Sequence, residues 1–510
     1  MVELHVRILG DRLFGFSLAR GEGLYRMLYC EPTFMFLFLP ILLAVHYIAP
    51  GRARNAVITL ASLLFYLLGE WRFTGWLLAS IAVNYWVAIG IDSNRGTARA
   101  RNLLALGIVS DLGLLIVFKY AGFLVTCTNK MIAAAHGSAL LPVPKLLLPL
   151  GISFFTFHKI SYKVDVWRGV AEVRRKPLDL MLYILLFPQL ISGPIVRYNE
   201  IAAELVKRTC TRKDFAEGVQ RFIFGLGKKM IVANTVAYTA DQLFAVPQAH
   251  LTTGMAWLGV FCYAIQIYFD FSGYSDMAVG LARMFGFHFP ENFNYPYIST
   301  SITEFWRRWH MSLSRWFRDY LYIPMGGSHR GRLRTYFNLC LVFFLCGLWH
   351  GASMHFVIWG SYQGALLVTE RLWFGKVLEA CPRVLRHIYS LAAVMFGWVI
   401  FRVESMSSVI GYMRAMVGLA QGNGATLNAS LYINTELIII SVVAIIGSMP
   451  VRALARKIAE HIRLVATDHR RTMADALIFG SGVAWQLTVL LYSLMLIAAR
   501  TYNPFIYYRF

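Results

Sequence analysis

Two histidines in apolar surroundings are the residues of this chain best suited to chemistry. His310 closes the segment EFWRRWH at residues 304–310, and His350 closes the run LCGLWH at residues 345–350. A side chain that titrates near neutral pH is costly inside a bilayer and usually has a task there. Taken alone, either histidine could instead be a core residue hydrogen-bonded to backbone, because buried polar groups usually find such partners.

The composition places these histidines in a membrane protein. The chain has 510 residues, of which 57% are hydrophobic and 15% are charged, which is too apolar for a soluble multidomain protein. Long apolar runs recur from Phe34 to the C-terminal region. These runs predict an all-α polytopic membrane protein built as one helical bundle.

The positive charge of the chain fits a membrane topology better than nucleic-acid binding. The net charge is +22, but the lysines and arginines lie in short segments between apolar runs and form no soluble basic patch. That distribution is typical of cytoplasmic loops that face anionic lipids. We therefore expect membrane lipids, and no nucleic acid, among the partners. The seven cysteines are scattered without a C-x-x-C pair, so neither a disulfide framework nor a metal site is predicted.

The loop charges predict a topology for the first half of the chain. Helices are expected near 34–49, 56–69, 75–91, 103–126 and 146–166. Basic residues mark every second loop, at 52–54, 95–101 and 168–176, so these three loops should share the cytoplasmic side. The apolar run 180–196 is followed by another basic segment and is interrupted by Pro188, Gly193 and Pro194. A re-entrant segment would return the chain to the cytoplasm, and buried non-helical backbone of this kind predicts a central tunnel.

The second half of the chain contains the elements that must position the histidines. A helix is expected over 254–271, flanked by Asp270 and Asp276, which should cap a helix or pair with a nearby arginine. Residues 301–325 mix arginines with aromatic residues, as interfacial amphipathic helices do, and carry His310. An apolar helix over 338–349 delivers His350. Further apolar segments lie near 353–374, 388–403, 431–449 and 477–499. The total is about eleven transmembrane helices plus re-entrant and interfacial helices.

The domain organisation is predicted to be simple. Residues 1–26 contain charges and glycines but no signal-peptide core, so they form an N-terminal extension or precede a true start at Met27. Residues 27–510 are expected to form a single membrane domain. The chain contains no G-x-x-x-x-G-K-[ST] phosphate loop and no G-x-S-x-G nucleophile elbow, which argues against an ATP-driven pump and a serine acyl-enzyme.

A series of motifs in order carries a family resemblance. They are GISFFTFH at 151–158, FPQLISGP at 187–194, DFSGYSD at 270–276, FPENF at 289–293, FWRRWH at 305–310, YLYIP at 320–324, WHGAS at 349–353 and NPFIYYRF at 503–510. Together they resemble the membrane-bound O-acyltransferase (MBOAT) superfamily, most closely its bacterial branch for alginate O-acetylation. The resemblance is densest between 147 and 360, where we expect the catalytic core.

The resemblance implies a site and a reaction. His350 would be the essential catalytic histidine and His310 the second polar residue of the active site. Transfer of an acetyl group to a hydroxyl needs a general base, the role predicted for His350. It also needs stabilisation of the oxyanion, which His310 could supply unless it orients the acceptor instead. Arg307 and Arg308 could contact phosphates of the donor, although anchoring at the membrane interface is the simpler role for both.

The resemblance also implies partners and a location. Acetyl-CoA is the expected donor, with no tightly bound cofactor. A tunnel would let acetyl groups cross the bacterial inner membrane and reach a periplasmic acetyltransferase partner that modifies an exopolysaccharide, expected to be alginate. Within the same fold the acceptor could instead be peptidoglycan, cellulose or another glycan, or the chain could handle D-alanine for teichoic acid. A transporter or flippase without chemistry is the alternative from another class, since buried histidines and broken helices occur there too.

Overall fold

The computed structural model describes residues 28–137, 141–422, 424, 427–451, 454–455, 457–458, 460–461 and 468–499. The predicted N-terminal extension and the motif at 503–510 lie outside the described residues. Every regular element in the described part is helical, and short 3₁₀ and π turns join several of these helices. The helices are α1 Phe34–Ile48, α2 Arg54–Ser93, α3 Ala98–Ala135, α4 Ile152–Arg168, α5 Pro177–Leu185, α6 Phe187–Leu190, α7 Tyr198–Val206, α8 Arg212–Gly227, α9 Asn234–Phe244, α10 Thr253–Met284, α11 Ile302–Arg308, α12 Met311–Phe317, α13 Arg332–His350, α14 Met354–Thr369, α15 Gly375–Ala380, α16 Arg383–Arg402, α17 Met406–Met416, α18 Thr435–Gly447 and α19 Asp468–Ala498.

Several of these helices are long and apolar enough to cross a membrane. Within the described residues, six meet that criterion: α2, α3, α10, α13, α16 and the part of α19 from Asp475 to Ala498. The apolar helices α1 and α18 are shorter. The protein is therefore an all-helical, multi-pass membrane protein, as the composition predicts.

Helix α2 is folded back on itself. Near its start, Asn55 Nδ2 donates to Asp179 Oδ1 at 3.3 Å, and near its end Asp92 pairs with Arg175 at 3.4 Å. A straight helix of 40 residues would be about 60 Å long. The partners Asp179 and Arg175 are close together in the sequence, so the two ends of α2 must also be close in space. The reversal is at Glu70, whose φ of −150° and ψ of 54° are not helical. The two halves match the separate helices predicted over 56–69 and 75–91.

The basic loops meet at one end of the bundle, which we call the basic face. Asp319 binds both Arg197 and, through its carbonyl oxygen at 3.0 Å, Arg168. Arg208 donates to Asn55 Oδ1 at 2.6 Å and so joins the start of α2 to the segment after α7. The arginines that define the basic face are Arg95, Arg168, Arg175, Arg197, Arg208 and Arg318. Of the loops predicted to share one side, the second and third meet where Arg95 lies 3.3 Å from the Cβ position of Gly169, and the first is joined to the residues after the third through Asn55 and Asp179.

The chain returns to the basic face through a break in the apolar run 180–196. Helix α5 ends at Leu185, and the next residue, Leu186, leaves the helical conformation with φ of −48° and ψ of 108°. The four-residue α6 follows, with Pro188 in its first turn. The backbone after α6 is irregular as far as Arg197, and the side chains from Leu182 to Val196 are buried. The structure therefore confirms a non-helical break that is buried in protein, as irregular backbone at membrane depth must be.

A buried charge cluster ties α2, α3 and α4 together. Lys159 of α4 lies 2.9 Å from Asp111 of α3 and donates to Ser80 of α2 at 2.7 Å. Lys163, one turn further along α4, pairs with the other oxygen of Asp111 and donates to Asn84. Both lysines and Asp111 are fully buried. Buried charges persist only when they are paired and hydrogen-bonded, so this cluster fixes the register of the three helices.

Helix α10 is the central helix, and its acidic residues are paired. Asp270 lies 2.7 Å from Lys229, and Asp276 lies 2.8 Å from Arg221 and 2.7 Å from Lys228. The expectation that Asp276 pairs with a nearby arginine is confirmed. These pairs join α10 to α8 and to the π turn that follows it, so most of α10 is enclosed by protein.

The prediction of one interfacial helix over 301–325 is wrong. The segment forms α11 and α12, separated at Trp309 and His310, and ends in a π turn. Its aromatic residues Trp306, Trp309 and Trp316 are buried in the hydrophobic core and do not form a belt at the membrane surface. The mixture of arginine and tryptophan resembles an interfacial helix because the arginines occupy the exposed side of a segment whose aromatic side packs inward.

Candidate functional site

His350 is placed by a tight hairpin between α13 and α14. A Cβ added at Gly347 would lie 2.2 Å from the carbonyl oxygen of Phe356, and one at Gly360 would lie 3.0 Å from the Cα of Gly347. Small residues permit this close approach of two membrane helices. Helix α13 ends at His350, where Gly351 is extended and packs against the ring of Phe356. The hairpin therefore presents the His350 ring to α14 and α16.

The His350 ring lies among aromatic side chains. Its centroid is 4.8 Å from Trp349, 5.1 Å from Trp359 and 5.2 Å from Phe401. The side chain is buried, with 8% of its surface exposed. An apolar, enclosed environment strengthens any electrostatic interaction made inside it.

His310 enters the protein through an unusual backbone conformation. Its φ of 43° and ψ of 52° are left-handed, and the only other non-glycine residue of this kind among the described residues is Tyr295. Two backbone hydrogen bonds hold the turn, from Met311 N to Asn292 O and from Asn294 N to Arg308 O, both at 2.9 Å. Strained residues of this kind are concentrated at functional sites. The turn ends α11 and directs the His310 ring into the core.

The His310 ring is held through one nitrogen. Nδ1 lies 3.0 Å from Asn292 Oδ1, and the ring meets Phe271 edge-on at 4.7 Å. Nε2 is buried and has no hydrogen-bond partner among the described residues. The ring is fully buried, and a low dielectric disfavours the charged imidazolium. Burial therefore favours the neutral form of the ring.

Trp349 brings the two histidines into one site. Its ring centroid is 5.9 Å from His310 and 4.8 Å from His350. Phe157 of α4 stacks between Trp316 and Trp349, at 3.9 and 5.7 Å. The indole Nε1 of Trp349 is a buried donor with no partner among the described residues. The two histidines predicted from the sequence thus flank one tryptophan.

Lys119, which the sequence interpretation missed, lies at the same site. It stands on a π turn within α3, and its Nζ donates to the carbonyl oxygen of Trp349 and to Ser153 Oγ at 3.4 Å. The next residue, Tyr120, donates to the carbonyl oxygen of Leu348 at 2.8 Å. A lysine inside the apolar run 103–126 was the available signal, since an intramembrane charge usually has a function.

Glu370 is a second residue that the sequence interpretation missed. Its buried carboxylate accepts hydrogen bonds from the backbone nitrogens of Ile302 at 2.6 Å and Thr303 at 2.9 Å. These N–H groups open α11 and lack partners within the helix. A carboxylate at that position satisfies them and complements the helix dipole. Glu370 therefore anchors the helix that leads to His310.

The two arginines singled out from the sequence do not join the histidine cluster. Arg307 is exposed. Arg308 pairs with Glu304 at 2.9 Å and donates to the carbonyl oxygen of Asn294 at 3.1 Å. Among the described residues, no three histidine, cysteine, aspartate or glutamate side chains come together as metal ligands would.

The geometry provides the groups that acyl transfer needs. Two imidazoles can accept protons or hydrogen bonds, and an indole N–H can donate to developing negative charge. Lys119 adds a half-buried amino group beside them. The aromatic side chains around the histidines make the surroundings apolar, and such surroundings protect a reactive acyl group from hydrolysis.

Comparison with known proteins agrees with this geometry. The model of the MBOAT, membrane-bound O-acyltransferase family, matches residues 116–410, a range that contains Lys119, Asn292, His310 and His350. The chain is 40% identical to the "Probable alginate O-acetylase AlgI" of Azotobacter vinelandii, over 95% of this chain and 100% of that protein.

More distant relatives act on other envelope polymers. The chain is 35% identical to the "Peptidoglycan O-acetyltransferase" of Helicobacter pylori, over 79% of this chain and 81% of that protein. It is 31% identical to the "Teichoic acid D-alanyltransferase" of Bacillus subtilis, over 51% of this chain and 70% of that protein. The matched family model covers more than half of the residues and the whole candidate site, so the chain belongs to the membrane-bound O-acyltransferase family and is an O-acyltransferase.

Proposed function

We propose that this protein is a membrane O-acetyltransferase that moves acetyl groups from cytosolic acetyl-CoA across the inner membrane for O-acetylation of an exopolysaccharide, alginate. The observation that carries the proposal is the pair of buried histidines on either side of Trp349. The names of the relatives support the acetyl group and the polysaccharide acceptor. Membership of an acyltransferase family argues against a transporter without chemistry.

The site residues have distinct proposed roles. His350 is the general base: it takes the proton of the acceptor hydroxyl while the hydroxyl oxygen bonds to the acetyl carbonyl carbon. The carbonyl oxygen becomes an oxyanion, and the Nε1–H of Trp349 is the buried donor available to stabilise it. When the intermediate collapses, the carbon–sulfur bond breaks and the proton passes from His350 to the leaving thiolate. The products are the acetylated acceptor and the free thiol of the donor, and His350 is again unprotonated.

The route through the membrane is part of the same proposal. The site lies near the end of α4 at Ser153, whereas the other end of α4 at Arg168 belongs to the basic face. Helix α4 has 17 residues and is about 25 Å long. Donor would reach the histidines from the basic face through a tunnel, in a bundle of about eleven crossings, and acceptor would approach from the other side.

The donor and partner assignments complete the proposal. The exposed guanidinium of Arg307, and Arg308 beside it, would contact donor phosphates near the basic face. On the periplasmic side, acetyl groups would pass to a partner acetyltransferase that modifies the polymer. The full-length identity to alginate O-acetylase relatives supports alginate over peptidoglycan, cellulose or teichoic acid.

The deciding experiment measures the acetyl content of the polysaccharide in cells whose only copy carries His350→Ala, with the membrane level of the protein checked by blot. We expect normal protein level and loss of acetylation. His46→Ala is the matched control. His46 lies on α1 and is also buried, but it packs against Phe285. This variant should keep acetylation near normal.

Either of two results would contradict the proposal. Normal acetylation with His350→Ala would make His350 a packing residue. Loss of acetyl groups from peptidoglycan while alginate stays acetylated would keep the chemistry and change the acceptor. Transfer of labelled acetyl from acetyl-CoA to membranes, measured with the same variants, tests the donor directly.

A further inference from the structure

Asn292 is a buried residue whose side-chain amide is hydrogen-bonded through both its nitrogen and its oxygen. It lies in the loop between α10 and α11 and is 2% exposed. Its Nδ2 donates to Ser275 Oγ at 3.0 Å. Its Oδ1 accepts from Ser312 Oγ at 2.9 Å and faces Ser312 N at 3.4 Å and His310 Nδ1 at 3.0 Å.

These contacts determine which end of the amide faces His310. The backbone N–H of Ser312 can only donate, so the atom opposite it must be the carbonyl oxygen. The hydroxyl of Ser312 agrees, because Ser312 Oγ accepts from Ile195 N at 2.9 Å and its own hydrogen is free to point at Asn292. An amide turned the other way would place its NH2 group opposite the backbone N–H of Ser312.

The orientation of Asn292 in turn determines the tautomer of His310. A carbonyl oxygen only accepts hydrogen bonds, so the hydrogen between the two side chains belongs to His310 Nδ1. In a neutral imidazole the other nitrogen, Nε2, then carries a lone pair. That nitrogen is buried without a partner among the described residues and belongs to the ring that faces Trp349.

We propose that Asn292 is a positioning residue that holds His310 in the Nδ1–H tautomer, so that Nε2 accepts a hydrogen bond from a second hydroxyl of the acceptor, next to the one that gives its proton to His350. A lone pair at Nε2 cannot donate to an oxyanion, so His310 serves the acceptor side of the reaction and not the acyl carbonyl. This inference rests on the proposed acetyl transfer for its consequence, but the tautomer itself does not depend on the reaction.

The loop that carries Asn292 is held independently of the histidine. Arg221 of α8 binds both Glu291, next to Asn292 in the chain, and Asp276, next to Ser275. Arg315 donates to the carbonyl oxygen of Glu291 at 2.8 Å. Because these contacts fix the loop from two sides, Asn292 is a rigid partner, which is what a residue needs in order to orient an imidazole.

The test reads the tautomer directly. Full-length protein labelled with ¹⁵N and ¹³C histidine is reconstituted in phospholipid membranes and studied by solid-state NMR, and the signals missing from His310→Gln are assigned to His310. We expect a protonated Nδ1 and an unprotonated Nε2 in the native protein. In Asn292→Leu the acceptor is lost, and the proton should move to Nε2. Asn292→Asp keeps an acceptor oxygen and should retain the Nδ1–H form.

A matched control separates tautomer from general damage. Asn338→Leu removes another buried asparagine, whose Nδ2 donates to the carbonyl oxygen of Gly327 at 3.0 Å and touches no histidine; the His310 signals should not change. Native protein with the proton on Nε2, or an unchanged tautomer in Asn292→Leu, would overturn the inference. These outcomes do not depend on whether acetylation requires His350.

The kinetic consequence is measured separately. We expect kcat for acetyl transfer to fall about ten- to a hundredfold in Asn292→Leu, the usual cost of removing the partner that orients a functional imidazole. Asn292→Asp should lose less. If Asn292→Leu shifts the tautomer but keeps the native kcat, the positioning role is refuted while the proposed function stands. If Asn292→Leu is missing from the membrane, Asn292→Asp and the native spectrum still decide the tautomer.

Discussion

Lys119 shows how a single side chain can set the position of a candidate catalytic residue. The last carbonyl oxygens of a helix have no partner within it, and at the end of α13 Lys119 and Tyr120 supply two of the missing donors. Lys119 therefore fixes the backbone on which the His350 ring stands.

Replacing Lys119 should weaken catalysis without removing the protein. We expect Lys119→Met to lower kcat about tenfold, because the carbonyl oxygen of Trp349 loses its Nζ donor and a small displacement of a reacting group costs up to about a hundredfold in rate. Lys119→Arg keeps the charge and a donor and should retain more activity. Acetyl transfer in isolated membranes gives kcat and KM for each variant.

The control for this change lies on the same helix. Lys130 is exposed on α3, so Lys130→Met removes an equal charge away from α13 and should leave kcat near the native value. Native kcat in Lys119→Met, or an equal loss in Lys130→Met, would show that Lys119 has no special role at the site.

The sequence predicts which histidines are candidates for chemistry, but it does not predict which residues contact them. His310 and His350 stand out because an imidazole in an apolar run is rare and costly. Asn292 and Lys119 bond across 18 and 230 positions, and no local pattern reports a contact over such a separation. Arg307 and Arg308 remain predictions, and the pairing of Arg308 with Glu304 shows why an arginine beside a site need not belong to it.

Among the elements, the hairpin of α13 and α14 is the one that the site can least do without. The two helices approach so closely at Gly347 that an added Cβ would lie 2.2 Å from a backbone oxygen. Backbone cannot rotate away as a flexible side chain can, so the helices must separate. Separation would displace His350, which ends α13 only three residues later.

Gly347→Ala should therefore reduce both stability and activity. We expect a loss of about 1–3 kcal/mol, the usual cost of overpacking, and a fall in acetyl transfer with it. Thermal unfolding in detergent and transfer in membranes measure the two effects. Gly113→Ala on α3 is the control, because nothing lies within 4 Å of its added Cβ; it should be neutral or stabilise by about 0.5–1 kcal/mol. Equal behaviour of the two variants would refute the close-packing argument.

Helix location was predictable, and helix continuity was only partly so. The predicted helices over 56–69 and 75–91 correspond to the two arms of α2 because apolar runs mark lipid-facing segments directly. The segment 301–325 was misjudged because its break depends on Asn292 and Asn294, which hold the backbone of Met311 and Arg308 from another loop. Composition reports the aromatic and basic residues of a segment, but it does not report the backbone hydrogen bonds to a distant loop that break the helix and turn its aromatic side chains inward.

In the part of the chain that the structure describes, basic loops gather at one end of the bundle. The loops before α2, after α2 and after α4 converge there, and the segment after α7 joins them. Positive charge on one side of a membrane protein marks the cytoplasmic side. Helix α3 starts beside this face and runs past Lys119 to Ala135, so its far end belongs to the opposite side.

Cysteine labelling of intact cells tests that orientation. In a variant in which all seven native cysteines are replaced, Gly51→Cys lies at the basic face and Ala135→Cys at the far end of α3. Both positions are exposed. We expect a membrane-impermeant maleimide added outside spheroplasts to label Ala135→Cys only, and to label Gly51→Cys only after lysis. The reverse pattern would invert the proposed direction of acetyl transfer.

The number of crossings is hard to read from sequence because hydropathy reports contact with lipid, not depth. Helix α4 carries Lys159, Lys163 and Asp165, all buried, and it is not among the helices apolar enough to span a membrane unaided. Helix α2 is one continuous element, but because it reverses at Glu70 its two arms cross the membrane region separately. A predicted total of about eleven therefore mixes helices that face lipid with helices that face only protein.

The buried lysines of α4 also constrain how the chain is made. Each charged residue that enters a bilayer alone costs about 2.5–3.5 kcal/mol, so α4 would be a poor membrane segment by itself. Its partners Ser80, Asn84 and Asp111 all precede it in the chain. During synthesis they are already in place when α4 emerges, and the aspartate can neutralise lysine charge as it arrives. The order of residues along the polypeptide thus lets α4 enter the membrane next to partners that have already been synthesised.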